Sequence, residues 1–323
     1  MMREYYETGK IEKKLAVIVT ILTIAIFVIG VGAGFCMQKN LDPVPLGSAM
    51  PSSKKEIERA EKEKKKALAE EKAAKDKKEK AERIKKMIKP LGPLKKKIRK
   101  EIRGKEGNWS IYVKNLTSNK SFSINNRATR AASIIKLYTA GAFLRAVKEG
   151  MMKMDPENAY DLEYMIKESS NTSWKALEAR MASAYGSSPE GVVNGFIDSK
   201  GFRSTYRDRY SLHGSTTSVE DTGRVLAQIY RGRYVSKKGS ARMLKYMKMQ
   251  DHTAKIPAGL PKGTRVANKT GELDTVDNDA AIVFTKYQDY ILVVMADETN
   301  MNFWAVPEIK KISKMVYRYI IGK

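Results

Sequence analysis

Residues 15–36 (LAVIVTILTIAIFVIGVGAGFC) form a run of 22 without a charge, and no other stretch limits the fold so strongly. At about 1.5 Å of rise per residue, a helix of that length crosses a hydrocarbon core of about 30 Å. The run therefore reads as one transmembrane helix and is withdrawn from any globular core. A cleaved signal peptide is the competing reading, but the run exceeds a usual apolar h-region and no A-x-A site follows it. Phe35 before Cys36 is too large for a lipid-attachment site. Basic residues flank both ends (Arg3, Lys10, Lys13 and Lys14; Lys39, Lys54 and Lys55), so positive-inside counting does not orient the span. Long downstream domains translocate largely regardless of charge. The expected arrangement is a cytoplasmic tail (1–14), an anchor (15–36) in the cell membrane, and a folded domain outside.

The 323 residues carry 61 Lys and Arg against 36 Asp and Glu, a formal +25 that invites a nucleic-acid or membrane-surface reading. Its location undoes the inference. Between Lys54 and Lys105 there are 23 basic and 10 acidic residues, so thirteen of the net charges belong to one low-complexity stretch. From Ser52 to Lys89 the chain is nearly all Lys, Glu, Ala and Arg, good helix formers with opposite charges three and four apart. Ala60, Ala67, Ala74, Ala81 and Ile88 recur every seven residues, yet Lys64, Glu71, Lys78 and Lys85 hold the companion seam positions. That pattern gives a solvated helix and not a coiled coil. Residues 37–93 read as a semi-rigid spacer, with a positive excess suited to anionic lipid or an anionic wall polymer. Pro90, Gly92 and Pro93 break it, and the folded domain is expected over 94–323.

No GxxxxGK[ST] or GxGxxG loop occurs, and no interleaving of aromatic and basic residues marks a nucleic-acid reader, so nucleic acid is not an expected partner. The single Cys36 excludes an intramolecular disulfide. With only His213 and His252, a multi-histidine metal site is not expected, and no cofactor is implied.

Within the domain, Trp109 to Asn115 and Ser121 to Asn125 alternate around a turn and predict a β-hairpin. Helical periodicity covers Ser133 to Lys148, Asp161 to Lys167, Ser173 to Ala184, Pro189 to Ser199, Ser218 to Tyr230 and Lys238 to Met249. Strands return near Arg265 to Thr270, Asp279 to Lys286 and Tyr290 to Ala296, before a last helix from Val306 to Ile321. Strands at both ends bracketing helices predict an α+β lobe with an all-α lobe inserted.

Ser133-Ile134-Ile135-Lys136 puts a serine and a lysine on one helical face, where the two side chains meet. A hydroxyl becomes a nucleophile when a base takes its proton, and a desolvated lysine with a lowered pKa serves as that base. Helix amino-terminal N–H groups favour a developing oxyanion. Alone the pattern is also that of a plain N-cap followed by a solvated lysine. Glu168-Ser169-Ser170-Asn171-Thr172 precedes a later helix, and Asn268-Lys269-Thr270-Gly271-Glu272 ends an apolar strand.

The ordered set S-x-x-K, S-x-N and K-T-G resembles the class A β-lactamases and penicillin-binding proteins. Thr216-Thr217 and the run Lys255 to Pro261 (KIPAGLP) resemble that family too, over about Asn108 to Gly322. The resemblance implies a five-stranded antiparallel sheet flanked by helices. It makes Ser133 the acylated nucleophile, Lys136 its proton acceptor or an electrostatic partner, and Ser169 a proton relay. Asn171 would bind the substrate amide, Lys269 and Thr270 the substrate carboxylate. Gly271 lets substrate lie against the strand, and the N–H groups of Ser133 and Glu272 form the oxyanion hole. The implied substrate is a β-lactam or a cell-wall peptide.

Three features depart from the pattern. Ser170 stands where the family has Asp in S-D-N. The two motif serines are 36 positions apart, short for a class A β-lactamase, so part of the cleft wall is expected to be trimmed. The loop Arg203 to Ser215 (RSTYRDRYSLHGS) lacks the family's deacylating Glu; its only carboxylate, Asp208, is flanked by Arg207 and Arg209 and is expected to be ion-paired with them. These features predict ready acylation with slow turnover. A D-alanyl-D-alanine carboxypeptidase or transpeptidase using the same residues, and a non-catalytic wall-binding module, are the alternatives.

Overall fold

The computed structural model describes residues 54–323 except Leu212, Asn302 and Lys323. The expected tail and anchor, 1–36, lie outside the described residues; among the described residues no helix is long and apolar enough to cross a membrane. The chain divides into two units between Glu70 and Glu71. The Lys/Glu/Ala stretch is one helix, α1 (Lys54–Met87), 34 residues long, its described side chains exposed nearly throughout. Everything below concerns the unit Glu71–Lys323.

A second helix, α2 (Gly92–Ile102), begins with Pro93 in its first turn and buries Leu94 and Ile98. Leu91 is buried as well, so the Pro-Gly-Pro segment that reads as a break is the entry to a core helix. The strands β1 (Asn108–Asn115), β2 (Ser121–Ile124), β5 (Arg265–Leu273), β6 (Val276–Phe284) and β7 (Tyr290–Asp297) form one antiparallel sheet in the order β2-β1-β7-β6-β5. Two short strands, β3 (Thr129–Arg130) and β4 (Thr216–Thr217), make a separate ladder. Every residue of β7 is buried, as expected for a central strand covered on both faces.

Alternation along β6 and β7 divides the core. Ala280, Ile282, Ile291, Val293 and Met295 face the helices α3 (Lys136–Lys148), α5 (Asn171–Tyr185), α7 (Val219–Tyr230) and α8 (Lys237–Lys248). Ala281, Val283, Leu292, Val294 and Ala296 face α2 and the last helix, α9 (Val306–Ile321). Two further helices, α4 (Pro156–Lys167) and α6 (Pro189–Ser199), complete the helical lobe. In α3, a Cβ at Gly141 would stand 2.2 Å from the Tyr234 hydroxyl and 2.3 Å from Phe196, so glycine sets how closely α6 packs. The predicted α+β architecture with its inserted helices is present, with three boundary differences that bear on the site. Ser133 lies in a 3₁₀ turn (Ala132–Ile135) before α3, not in the helix itself. The K-T-G residues lie in the middle of β5, not at its end. β6 begins at Val276, taking Asp277 and Asn278 into the sheet ahead of Asp279.

Candidate active site

The turn bearing Ser133 is fixed from three sides. Arg130 donates its backbone N–H and its Nε to Asp297, at 3.0 and 2.7 Å. Asn278 Nδ2 donates to the carbonyls of Arg130 and Ala131, at 3.0 and 3.2 Å. Gly271 lies flush against the turn: a Cβ there would stand 2.7 Å from Ala131 O and 3.1 Å from Ser133 N. Held this way, Ala132 takes φ of 47°, a left-handed value that costs an alanine about 1 kcal/mol. In a 3₁₀ turn residues i and i+3 eclipse, which places Lys136 directly over Ser133. Lys136 Nζ is 3.0 Å from Ser133 Oγ.

Lys136 has no exposed surface and donates to Ser169 O and Asn171 Oδ1, both at 2.6 Å, with Ser169 Oγ at 3.4 Å. All its direct partners are neutral. Burial lowers its pKa to about 7, with Glu178 pulling the other way. Lys269, also fully buried, donates to Ser169 Oγ at 2.7 Å and to Thr270 O at 2.9 Å. Burial, then the charge of Lys136, push its pKa well below the usual lysine value. Ser169 thus receives both lysines, and its φ of 60° is again left-handed. Ser170, the residue in place of the family's Asp, caps α5 by accepting from Ser173 N at 3.1 Å.

Ser133, Lys136, Ser169, Asn171 and Lys269 are therefore one hydrogen-bonded cluster, with Thr270 and Gly271 carried on the same strand. Glu272 differs in that its carboxylate is tied to Lys255 at 2.9 Å, leaving its backbone N–H as the group available to the cluster. Lys255 is itself 1% exposed and stands 3.1 Å from Asp277 Oδ1. Asp279, its pKa raised to about 6 by burial, accepts from Ile256 N at 2.9 Å and Asn268 Nδ2 at 3.1 Å.

Behind Lys136, Glu178 is buried and accepts from Thr139 Oγ1 at 2.9 Å and Arg207 Nη2 at 2.9 Å. The Arg207 guanidinium stacks 4.4 Å over Trp174. The expected ion pairing of Asp208 is corrected here. Arg207 turns inward to Glu178 and Arg209 reaches Glu190 at 3.6 Å, while Asp208 accepts the N–H groups of Tyr210 and Ser211, both at 2.9 Å. Those amides hold its pKa low, so it closes a turn and is a poor proton acceptor. Sequence reasoning assigned no role to Lys255, Asn278, Asp297 or Glu178, and gave Arg207 only a pairing with Asp208. Their partners are tens of residues away, and a lone lysine or arginine in a basic chain reads as solvated.

A serine hydroxyl against a lysine of lowered pKa, a second serine shared by two buried lysines, and a glycine-bearing strand beside them thus meet in one α+β domain. A family profile described as the β-lactamase enzyme family matches residues 93–185 and 159–320, and the chain belongs to that family, with a class A β-lactamase or penicillin-binding-protein kind of domain. Among solved structures, PBP-A superposes with a TM-score of 0.65 at 24% identity, over 73% of this chain and 98% of its own. A PBP-A mutant held as an acyl-enzyme complex with penicillin G gives 0.65 at 25% identity, over 73% and 98%. The TLA-1 extended-spectrum β-lactamase gives 0.65 at 18% identity, over 72% and 100%. No curated protein matches the chain.

Proposed function

We propose that this chain is a serine acyl-transfer enzyme of the class A β-lactamase type that is acylated at Ser133 by β-lactams and releases the acyl group slowly. The observation that carries the reading is Lys136 Nζ at 3.0 Å from Ser133 Oγ, without exposed surface and with a pKa of about 7. Neutral Lys136 takes the Ser133 proton as Oγ attacks the lactam carbonyl carbon. The tetrahedral oxyanion is received by the N–H groups of Ser133 and Glu272. The C–N bond then breaks and the nitrogen is protonated through Ser169 Oγ, which lies within 3.4 Å of Lys136 Nζ and 2.7 Å of Lys269 Nζ. Lys269 and Thr270 hold the substrate carboxylate, and Asn171 the acyl-side amide.

Slow release is supported by the state of the nearby carboxylates. Asp208 is held by backbone amides, Glu178 by Arg207 and Glu272 by Lys255, so each is already engaged. The same observation favours a second reading, a D-alanyl-D-alanine carboxypeptidase or transpeptidase acting on wall peptides, whose acceptor is an amine or water on a natural acyl group. We place the domain outside a single-pass anchor at 15–36, because its proposed substrates are there. Intact-mass spectrometry after penicillin exposure tests the acylation: one penicilloyl adduct is expected on the wild-type chain. Absence of the adduct, or its survival in Ser133→Ala, overturns the proposal. Release of D-alanine from a pentapeptide selects the second reading.

A further inference from the structure

The face of the molecule turned away from Ser133 carries a concentration of charge that the acylation chemistry does not use. Helices α2 and α9 cover the sheet face opposite the helical lobe, each turning its apolar stripe inward: Leu94 and Ile98 from one, Ile309, Ile312, Val316 and Ile320 from the other. Their outer stripes bear five basic residues and one acid in α2, and four basic residues and one acid in α9. Both acids are already matched, Glu101 to Lys311 at 2.6 Å and Glu308 to Lys105 at 2.7 Å. The surplus is unneutralised within the two helices.

This charge lines a trough. A cavity of about 1040 Å³ between α9 and the Ala258 to Pro261 loop is bordered by Lys310, Lys311, Lys314 and Arg318. A second cavity, of about 540 Å³, adjoins it, sharing Lys311, Lys314 and Arg318 and adding Lys89 and Lys97. The wall is tightly built, since a Cβ at Gly259 would stand 2.3 Å from Lys310 O, and Ser313 Oγ donates to Ile256 O at 2.8 Å. Lys310, Lys314 and Arg318 repeat every four residues, about 6 Å apart along the helix.

We propose that this trough binds a linear, phosphate-bearing polyanion. Its cations stand around concave walls, which a threaded chain reaches from several sides and a flat bilayer meets only at the rim. Five of the six lining cations are lysines, point charges that hold successive phosphates without demanding the bidentate geometry of a carboxylate–guanidinium pair. Such binding is multivalent, independent of fine sequence, and steeply dependent on salt. It is a site of the folded domain, separate from the positive excess of α1, and does not rest on the acylation chemistry.

The test uses the full chain in non-ionic detergent with fluorescently labelled long-chain inorganic polyphosphate, measured by anisotropy across a salt series. The triple variant Lys310→Gln, Lys314→Gln, Arg318→Gln changes only exposed side chains, and circular dichroism checks its fold. By analogy with counterion release from single strands, removing three cations lowers the log–log salt slope by about 2 and weakens binding tenfold or more. A spacer variant, Lys64→Gln with Lys78→Gln and Lys85→Gln, retains the triple-sensitive binding. The proposal is overturned if the triple variant matches the wild type in affinity and slope, if the spacer variant abolishes binding, or if phosphatidylglycerol in mixed detergent micelles displaces labelled polyphosphate more effectively than unlabelled polyphosphate does at equal phosphate.

Discussion

A lysine cut off from water must have its charge matched or lose it, and the molecule does both around the K-T-G strand. Lys255 is matched: two carboxylates, Glu272 and Asp277, stand within 3.1 Å of its Nζ. Lys136 meets only neutral acceptors and its pKa falls to about 7. Removing the partner of a fully buried carboxylate costs about 3–5 kcal/mol, because the uncompensated charge stays in the interior. Lys255→Met is therefore expected to destabilise by about that amount, and adding Asp277→Asn to recover most of it. Urea denaturation decides: a single variant within 1 kcal/mol of wild type, or a double variant no better than the single, contradicts the pairing. At Lys136 the deprotonated form is the base, so acylation by penicillin should quicken as pH rises through about 7 and level off above it. A rate independent of pH between 6 and 8 removes Lys136 from that role. The Ser133–Lys136 pair was legible because its partners are three residues apart. The state of Lys255 was not, because burial of a single lysine leaves no local pattern.

At the scale of elements, the sequence reading found the helices and the sheet strands but began β6 three residues late at the site. Asp277, Asn278 and Asp279 are weak strand formers, which moved the expected start of β6 to Asp279. In the fold each has a designated partner, Ala305 N for Asp277 at 3.1 Å among them, and tertiary pairing overrides local preference. The left-handed backbone at Ala132 and Ser169 was equally hidden, since neither residue type signals it. The contact between β5 and the 3₁₀ turn is where these elements make a site, and Gly271 sets its distance. Valine there would push β5 off the turn and separate Lys269 and Thr270 from Ser133. Gly271→Val is expected to lower the acylation rate at least tenfold, with circular dichroism unchanged, because only the strand edge moves. Wild-type acylation in the variant would show that the strand is not held at this distance by glycine.

Across the whole molecule, buried titratable groups tie folding to pH with opposite signs. Lys136 and Lys269 have folded pKa values below the ordinary 10.5, Lys136 at about 7. Below about pH 7 Lys136 is protonated both folded and unfolded; from there to about 10.5 the unfolded chain binds the extra proton, so stability rises with pH across that window. The slope per group is at most about 1.4 kcal/mol per pH unit. Tyr138, Tyr234 and Tyr290 act in reverse, because burial raises their pKa values, Tyr138 to about 12. Above about pH 10 the unfolded chain loses those protons while the folded one keeps them, and stability falls. Asp279, raised to about 6, gives a further decline as pH climbs from about 4 to 6. The domain should therefore be most resistant to urea near pH 9 to 10, above the range usual for globular proteins. Lys269→Met, which removes one of the two rising contributions, should flatten the climb between pH 7 and 9. A wild-type midpoint that stays level or drops over that interval would mean the two lysines keep their charge in the folded state, and with it the base proposed for Ser133 would be lost.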